Sequence, residues 1–209
     1  SIAVSALAVA LKPQQDANRL LDQQENILRV AGLHSGSGHP TAEAAAKLFE
    51  SVTTWQVDQG TGVMTELESF APAKQMIDAA KDAATSTPTA SASARGAQIR
   101  SIPKLLLVYE VTAPGKEAWI LPIWGNGLWS TMYGFLAVAK DFSEIRGITF
   151  YQHGETPGLG GEIDNPAWRA QWPGKKLRDA DGKILIEVVK HGNVREPARQ
   201  VDGLSGSTL

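Results

Sequence analysis

Leu105-Leu106-Leu107-Val108-Tyr109-Glu110-Val111 decides the fold class: a short apolar run, ending in β-branched and aromatic residues, that reads as a strand. Runs of the same kind follow it. They are Trp119-Ile120-Leu121, Tyr133-Gly134-Phe135-Leu136-Ala137-Val138, Ile148-Thr149-Phe150-Tyr151 and Ile184-Leu185-Ile186-Glu187-Val188-Val189. Turn residues separate them: Pro114-Gly115, Gly125-Asn126-Gly127, Asp141 and Asp181-Gly182. Ile184, Ile186 and Val188 share one face of a pleated strand, as do Ile148 and Phe150. The runs are close in sequence and no helix intervenes, so they predict a largely antiparallel sheet.

The first half of the chain reads differently. After Pro13, Ala17, Leu20, Leu21, Ile27, Leu28 and Ala31 fall at helical spacing, opposite Asp16, Arg19, Asp22, Gln23 and Glu25, with Gly32 as the stop. His34 to Pro40 is a loop by its turn residues, and Thr41 can cap a helix reaching Phe49. Residues 63–67 suit a strand, and 74–80 a short helix with Met76 and Ile77 on one side. The stretch 83–97 is mostly Ala, Ser and Thr, with Pro88, Arg95 and Gly96 and hardly a large side chain. It predicts a mobile insertion within the domain, because it buries too little to offset its ordering entropy. One more short helix is expected at 166–171. The expected fold is therefore α+β: N-terminal helices packed on a curved, largely antiparallel sheet.

Composition removes several functional classes. A chain of 209 residues suits one domain with at most an appendage. Its net charge of −2 gives no basic footprint and disfavours nucleic acid as a partner. With no cysteine there is no disulfide, thiolate metal site or thiol chemistry. Gly203-Leu204-Ser205-Gly206-Ser207 fails at its last position as a serine-nucleophile elbow. His153, Glu155, Glu162 and Asp164 match no metal-ligand spacing and read better as a solvated acidic loop. Neither general acid nor general base is indicated.

Two segments carry chemistry. Glu155-Thr156-Pro157-Gly158-Leu159-Gly160-Gly161 follows a predicted strand, and its three glycines permit either a tight turn or close backbone approach to a planar ring, with Leu159 packing on that ring. Trp124 and Trp129 bracket the Gly125-Asn126-Gly127 turn. Of the six tryptophans most serve core packing, and Trp129, with Ser130, is the one assigned to a pocket. The second segment is Asp202-Gly203-Leu204-Ser205-Gly206-Ser207-Thr208. It resembles the acceptor motif Asp-Gly-x-Ser/Thr-Gly-Ala/Ser-Thr, on whose last threonine a flavin transferase esterifies FMN. Ser207 stands where alanine is usual.

Together with Leu20-Leu21-Asp22, Ile27-Leu28-Arg29-Val30-Ala31-Gly32-Leu33, Gly125 to Phe135 and His153 to Trp168, these segments resemble the C-subunit family of the sodium-translocating NADH:quinone oxidoreductase. The resemblance runs from about Lys12 to Leu209, with 83–97 matching no motif of the family. It implies FMN bound through a phosphoester to Thr208. Asp202, Ser205, Gly206 and Ser207 would complete the acceptor, and Glu155, Thr156, Gly158, Leu159, Gly160, Gly161, Trp129 and Ser130 would surround the ring. It implies an electron relay among the other subunits of a redox complex, coupled to sodium export, with a flavin transferase as partner during maturation. A related ferredoxin:NAD oxidoreductase has a similar G subunit, and a non-catalytic assembly domain without flavin is the reading from another class.

The opening residues 1–11 are uncharged and cover about half a bilayer core, since a spanning helix needs ~20 apolar residues. The family implies that they end a single-pass anchor in a bacterial inner membrane, with 12–209 on the periplasmic side. A helix starting near Ser207, and a chain running on past Leu209, are also expected.

Overall fold

The computed structural model describes residues 2–34, 38–89, 91, 94 and 96–204. Its central strands are β1 (Val52–Asp58), β2 (Met64–Glu66), β5 (Leu105–Val111), β6 (Ala118–Asn126), β7 (Thr131–Val138) and β8 (Ile145–Gln152). They form a six-stranded antiparallel sheet in the order β2-β1-β5-β6-β7-β8. Two small sheets flank it. In one, β3 (Ser86–Pro88) pairs with β4 (Ser101–Pro103); in the other, β9 (Glu187–Val189) pairs in parallel with β10 (Gln200–Asp202). The helices are α1 (Ile2–Val30), α2 (Ala42–Phe49), α3 (Ala73–Ala79) and the single turn α4 (Pro166–Arg169), preceded by a 3-10 turn over Gly160–Asp164.

The sheet is covered on both faces, and the period of two in its strands sorts side chains between them. Ile120, Phe135 and Ala137 join Tyr109, Val111, Ile27, Leu28 and Ala73 in the core beneath the helices. Their neighbours Trp119, Leu121, Leu136 and Val138 turn the other way, onto Ile163, Trp168, Trp172, Leu177 and Val201. The second layer is thus drawn largely from residues 163–204, most of them in loops. On the helical face Phe49, Phe70, Tyr109, Phe135 and Tyr151 make a chain of ring contacts with centroids 5.0–5.9 Å apart. The buried Tyr109 hydroxyl donates to the Ala71 carbonyl at 2.9 Å, and burial pushes its phenol up. Gly134 is obligatory in β7, because a Cβ there would lie 2.2 Å from the Thr149 carbonyl oxygen beside a register shift.

Most expected elements are present, and the departures have physical causes. The predicted start of a helix after Pro13 is instead the middle of α1, which runs unbroken from Ile2. Gly32, at φ +69°, ends it as expected, with Leu33 N–H reaching back to the Leu28 carbonyl. Leu20 and Leu21 are exposed, while Gln23 and Glu25 on the supposed polar side are buried. Gln23 Oε1 accepts from Ala73 N–H at 3.0 Å at the start of α3. Glu25 accepts from Arg29 at 2.6 Å and pairs with His39. Within 83–97, Ser86–Pro88 is a strand whose backbone pairing requires no large side chain. Ile184 lies outside β9 and is 61% exposed, so the expected shared face with Ile186 and Val188 does not form. β1, interior in the sheet, is absent from the expected elements. Among the described residues no helix is long and apolar enough to cross a membrane.

Candidate functional site

β6 and β7 are joined by a hairpin loop closed by Gly127 N–H to the Ser130 carbonyl at 2.7 Å. The tip of this loop has few internal partners, and a carboxylate from elsewhere in the chain supplies them. Glu155 Oε2 accepts from Leu128 N–H at 3.1 Å, and Oε1 accepts from Trp129 N–H, Ser130 N–H and the Ser130 hydroxyl at 3.1, 3.0 and 3.2 Å. The same hydroxyl oxygen accepts from Gly154 N–H at 2.7 Å. Glu155 is buried. Burial alone would raise its pKa, but the donors of Trp129, Ser130 and Leu128 together outweigh it and hold the carboxyl below the usual glutamate range.

Two glycines make room for this carboxylate. A Cβ on Gly127 would lie 2.5 Å from Glu155 Oε1, and one on Gly160 would lie 2.8 Å from Oε2. Gly160 therefore serves the packing of Glu155. The positive φ in this loop belongs to Gly158, at +75° with open space around it. The loop also closes on itself: the Thr156 carbonyl accepts from Leu159 N–H at 3.1 Å and from Gly161 N–H at 2.9 Å. Gly160→Val should consequently lower the melting temperature and expose the 128–130 amides to hydrogen exchange. Gly158→Ala should cost only backbone strain, about 1–3 kcal/mol, and leave those amides protected. Unchanged exchange at 128–130 in Gly160→Val would refute this role.

His153, at the base of the loop, is oriented by two partners. Its Nδ1 accepts from Glu155 N–H at 3.3 Å, which leaves Nε2 to donate to Asp164 at 2.7 Å. Asp164 also pairs with Arg169 of α4, whose Nε donates to the Ile163 carbonyl at 3.0 Å. Glu162 accepts from Asn165 at 2.8 Å. These acidic groups are thus committed separately, and among the described residues no three His, Cys, Asp or Glu side chains could hold a metal.

With the polar groups turned inward, apolar side chains project from both loops. Leu128 is 52% exposed, Trp129 71% and Leu159 46%. No local pattern singles out Leu128 or Gly127, because the carboxylate that organises them is 27 residues or more away. Trp168 and Trp172 are core residues, as expected of tryptophan, yet Trp168 has a second role: its indole N–H donates to the Asp202 carbonyl at 2.8 Å. Asp202 is held in β10, and Leu204 packs on the cluster around Trp168. Ser205, Gly206, Ser207 and Thr208 lie outside the described residues.

Residues 127–209 match the FMN-binding domain family. The chain is 44% identical over its full length to the C subunit of the Na(+)-translocating NADH-quinone reductase of Pseudomonas aeruginosa, covering 80% of that protein. To the same subunit from Vibrio parahaemolyticus it is 42% identical over its full length, again covering 80%. This chain belongs to the C-subunit family of Na(+)-translocating NADH-quinone reductases. The family's fold agrees. The crystal structure of Shewanella oneidensis NqrC superimposes with a TM-score of 0.75 at 31% identity, covering 91% of this chain and 85% of that one. The corresponding protein from Parabacteroides distasonis gives 0.68 at 27% identity, covering 94% and 85%. The antiparallel sheet and its helices are accordingly those of the family, whose members are subunits of a redox enzyme.

Proposed function

We propose that this chain is the electron-relay subunit of a bacterial membrane complex that passes electrons from NADH to a quinone and exports sodium, using FMN esterified to Thr208. The observation that carries this reading is the clasp of Glu155. It fixes two loops by one carboxylate and leaves Leu128, Trp129 and Leu159 as an exposed apolar set. Such a set fits a planar, largely apolar ring whose polar edge can meet backbone groups. The full-length similarity to the C subunits supports the same reading over the ferredoxin-linked relative and over an assembly domain without flavin. So does the match of 127–209, which includes both loops and the acceptor segment.

FMN supplies the electron transfer when bound. The chain's own tasks are to hold the cofactor, limit its exposure to water and tune its surroundings. Leu128, Trp129 and Leu159 would cover the ring, while Glu155 keeps their backbones in place. Thr208 would hold FMN through a phosphoester of its side-chain oxygen, made by the flavin transferase from a flavin dinucleotide, with AMP as the leaving group and the hydroxyl proton taken up by a base of the transferase. The domain would stand on the periplasmic side of the inner membrane, with residues 1–11 belonging to its anchor.

The reading is tested by producing the chain with and without a flavin transferase and weighing its C-terminal peptide. A mass increase of FMN less one water, on Thr208 and only with the transferase, is expected. An unmodified peptide beside a transferase that labels another acceptor protein would overturn it.

A further inference from the structure

Asp202 heads the acceptor segment, yet all of its polar atoms are already engaged within the domain. Its N–H donates to Gln171 Oε1 at 3.0 Å, and its carbonyl accepts from the Trp168 indole at 2.8 Å. Oδ1 accepts from Gly192 N–H at 2.8 Å, and Oδ2 lies 2.9 Å from His191 Nδ1. The next residue is seated as closely: Gly203 N–H donates to the Val189 carbonyl at 2.8 Å, and a Cβ on Gly203 would stand 2.5 Å from that oxygen. Leu204 then packs against the second-layer core.

We infer that Asp202 is a positioning residue. It pins the start of the acceptor segment to α4 and to the 189–192 turn, and the transferase reads the chain only from Gly203 onward. Gln171, Trp168 and Gly192 act with it, although none belongs to the motif. Its carboxylate accepts from the Gly192 N–H through Oδ1 and faces His191 through Oδ2, so both oxygens already have partners within the domain, and withdrawing it would release the acceptor segment from the 189–192 turn. The His191 pair is 63% exposed on the histidine side and adds little, as surface pairs do. This inference rests on the reading of Thr208 as the flavin acceptor.

The test follows in-gel flavin fluorescence over time in the full chain, produced with a flavin transferase, together with hydrogen exchange at the Gly192 and Gly203 amides of the unmodified protein. Asp202→Asn keeps an oxygen for Gly192 and an N–H for the imidazole, so labelling within about twofold of the parent is expected. Asp202→Ala should label about tenfold more slowly. Gln171→Met, which keeps the shape and removes the acceptor, should label about fivefold more slowly, as for the loss of one hydrogen bond. Both should speed exchange at Gly203, and the alanine variant also at Gly192. The inference is overturned if Asn fails as badly as Ala while Gln171→Met labels normally, because the transferase would then be reading the charge itself. Unchanged exchange in Asp202→Ala overturns it as well. That second readout needs no flavin: if the parent protein were never labelled, the proposed function would fall while the anchor was still scored.

Discussion

Thr208→Ala protein, produced with a flavin transferase, is expected to run on a denaturing gel without any flavin fluorescence. The substitution removes the one oxygen that the acceptor motif assigns to the phosphoester, and no weaker bond survives denaturation. Ser205→Ala should keep most of the fluorescence, because that hydroxyl lies three residues before the acceptor. Ser207 is the informative neighbour. It adds a hydroxyl where the motif usually has alanine, so residual labelling of Thr208→Ala, mapped by peptide mass to Ser207, would show that the transferase selects a place rather than a residue. Thr208→Ala should also melt with the parent, since both principal cores are extensively packed among the described residues alone. A fluorescent band of normal intensity from Thr208→Ala would remove the basis for a flavin on this residue.

Glu155→Ala is expected to be the most damaging single change to the body of the site. It deprives three backbone N–H groups and the Ser130 hydroxyl of their acceptor at once. Water can reach some of them, so the loss is less than their sum. About 3 kcal/mol is reasonable for partly buried donors left without a charged acceptor, equivalent to roughly 6–12 °C in melting temperature for a chain of this size. Glu155→Gln keeps one acceptor oxygen and should fall between. The pH dependence has a definite sign. The folded protein holds this carboxyl below its ordinary value of 4.5, so its contribution is complete above that value and is lost as pH falls through the lower, folded one. Acid melting curves of parent and Glu155→Gln should therefore converge as pH falls through that lowered value. An alanine variant melting within about 2 °C of the parent at neutral pH would show that the clasp contributes little. With FMN attached, the same variant should retain the cofactor but change its absorbance, since attachment and ring environment depend on different parts of the chain.

The fold class is legible in the chain because period and turn chemistry are local. The run at Leu105–Val111 is a strand with the bounds expected, and Thr41 caps α2 through Ala44 N–H as its type and place suggest. The proposed acceptor motif is legible for a related reason: an enzyme that modified the segment would read consecutive residues. β1 is not, because Val52-Thr53-Thr54-Trp55-Gln56-Val57 is half polar. Its place inside the sheet comes from pairing with β5 across about 50 residues of chain, and Thr54 is buried there without being apolar.

What the sequence by itself determined was the α+β class, the order of the main elements and the segments on which the family's chemistry depends. Only the tertiary structure decided what the residues of those segments do. Glu155 reads as one acid in an acidic loop, yet three backbone donors from a hairpin tip 25 to 27 residues earlier turn it into an internal clasp. Gly160 reads as a turn glycine, and it is the place where that carboxylate needs room. Asp202 reads as part of a recognition motif, and it is hydrogen-bonded to Gln171, Trp168 and Gly192 within the domain itself. The physical reason is common to the three. A polar side chain takes its role from the partners that burial brings to it, and those partners are set by long-range packing of the two layers on the sheet.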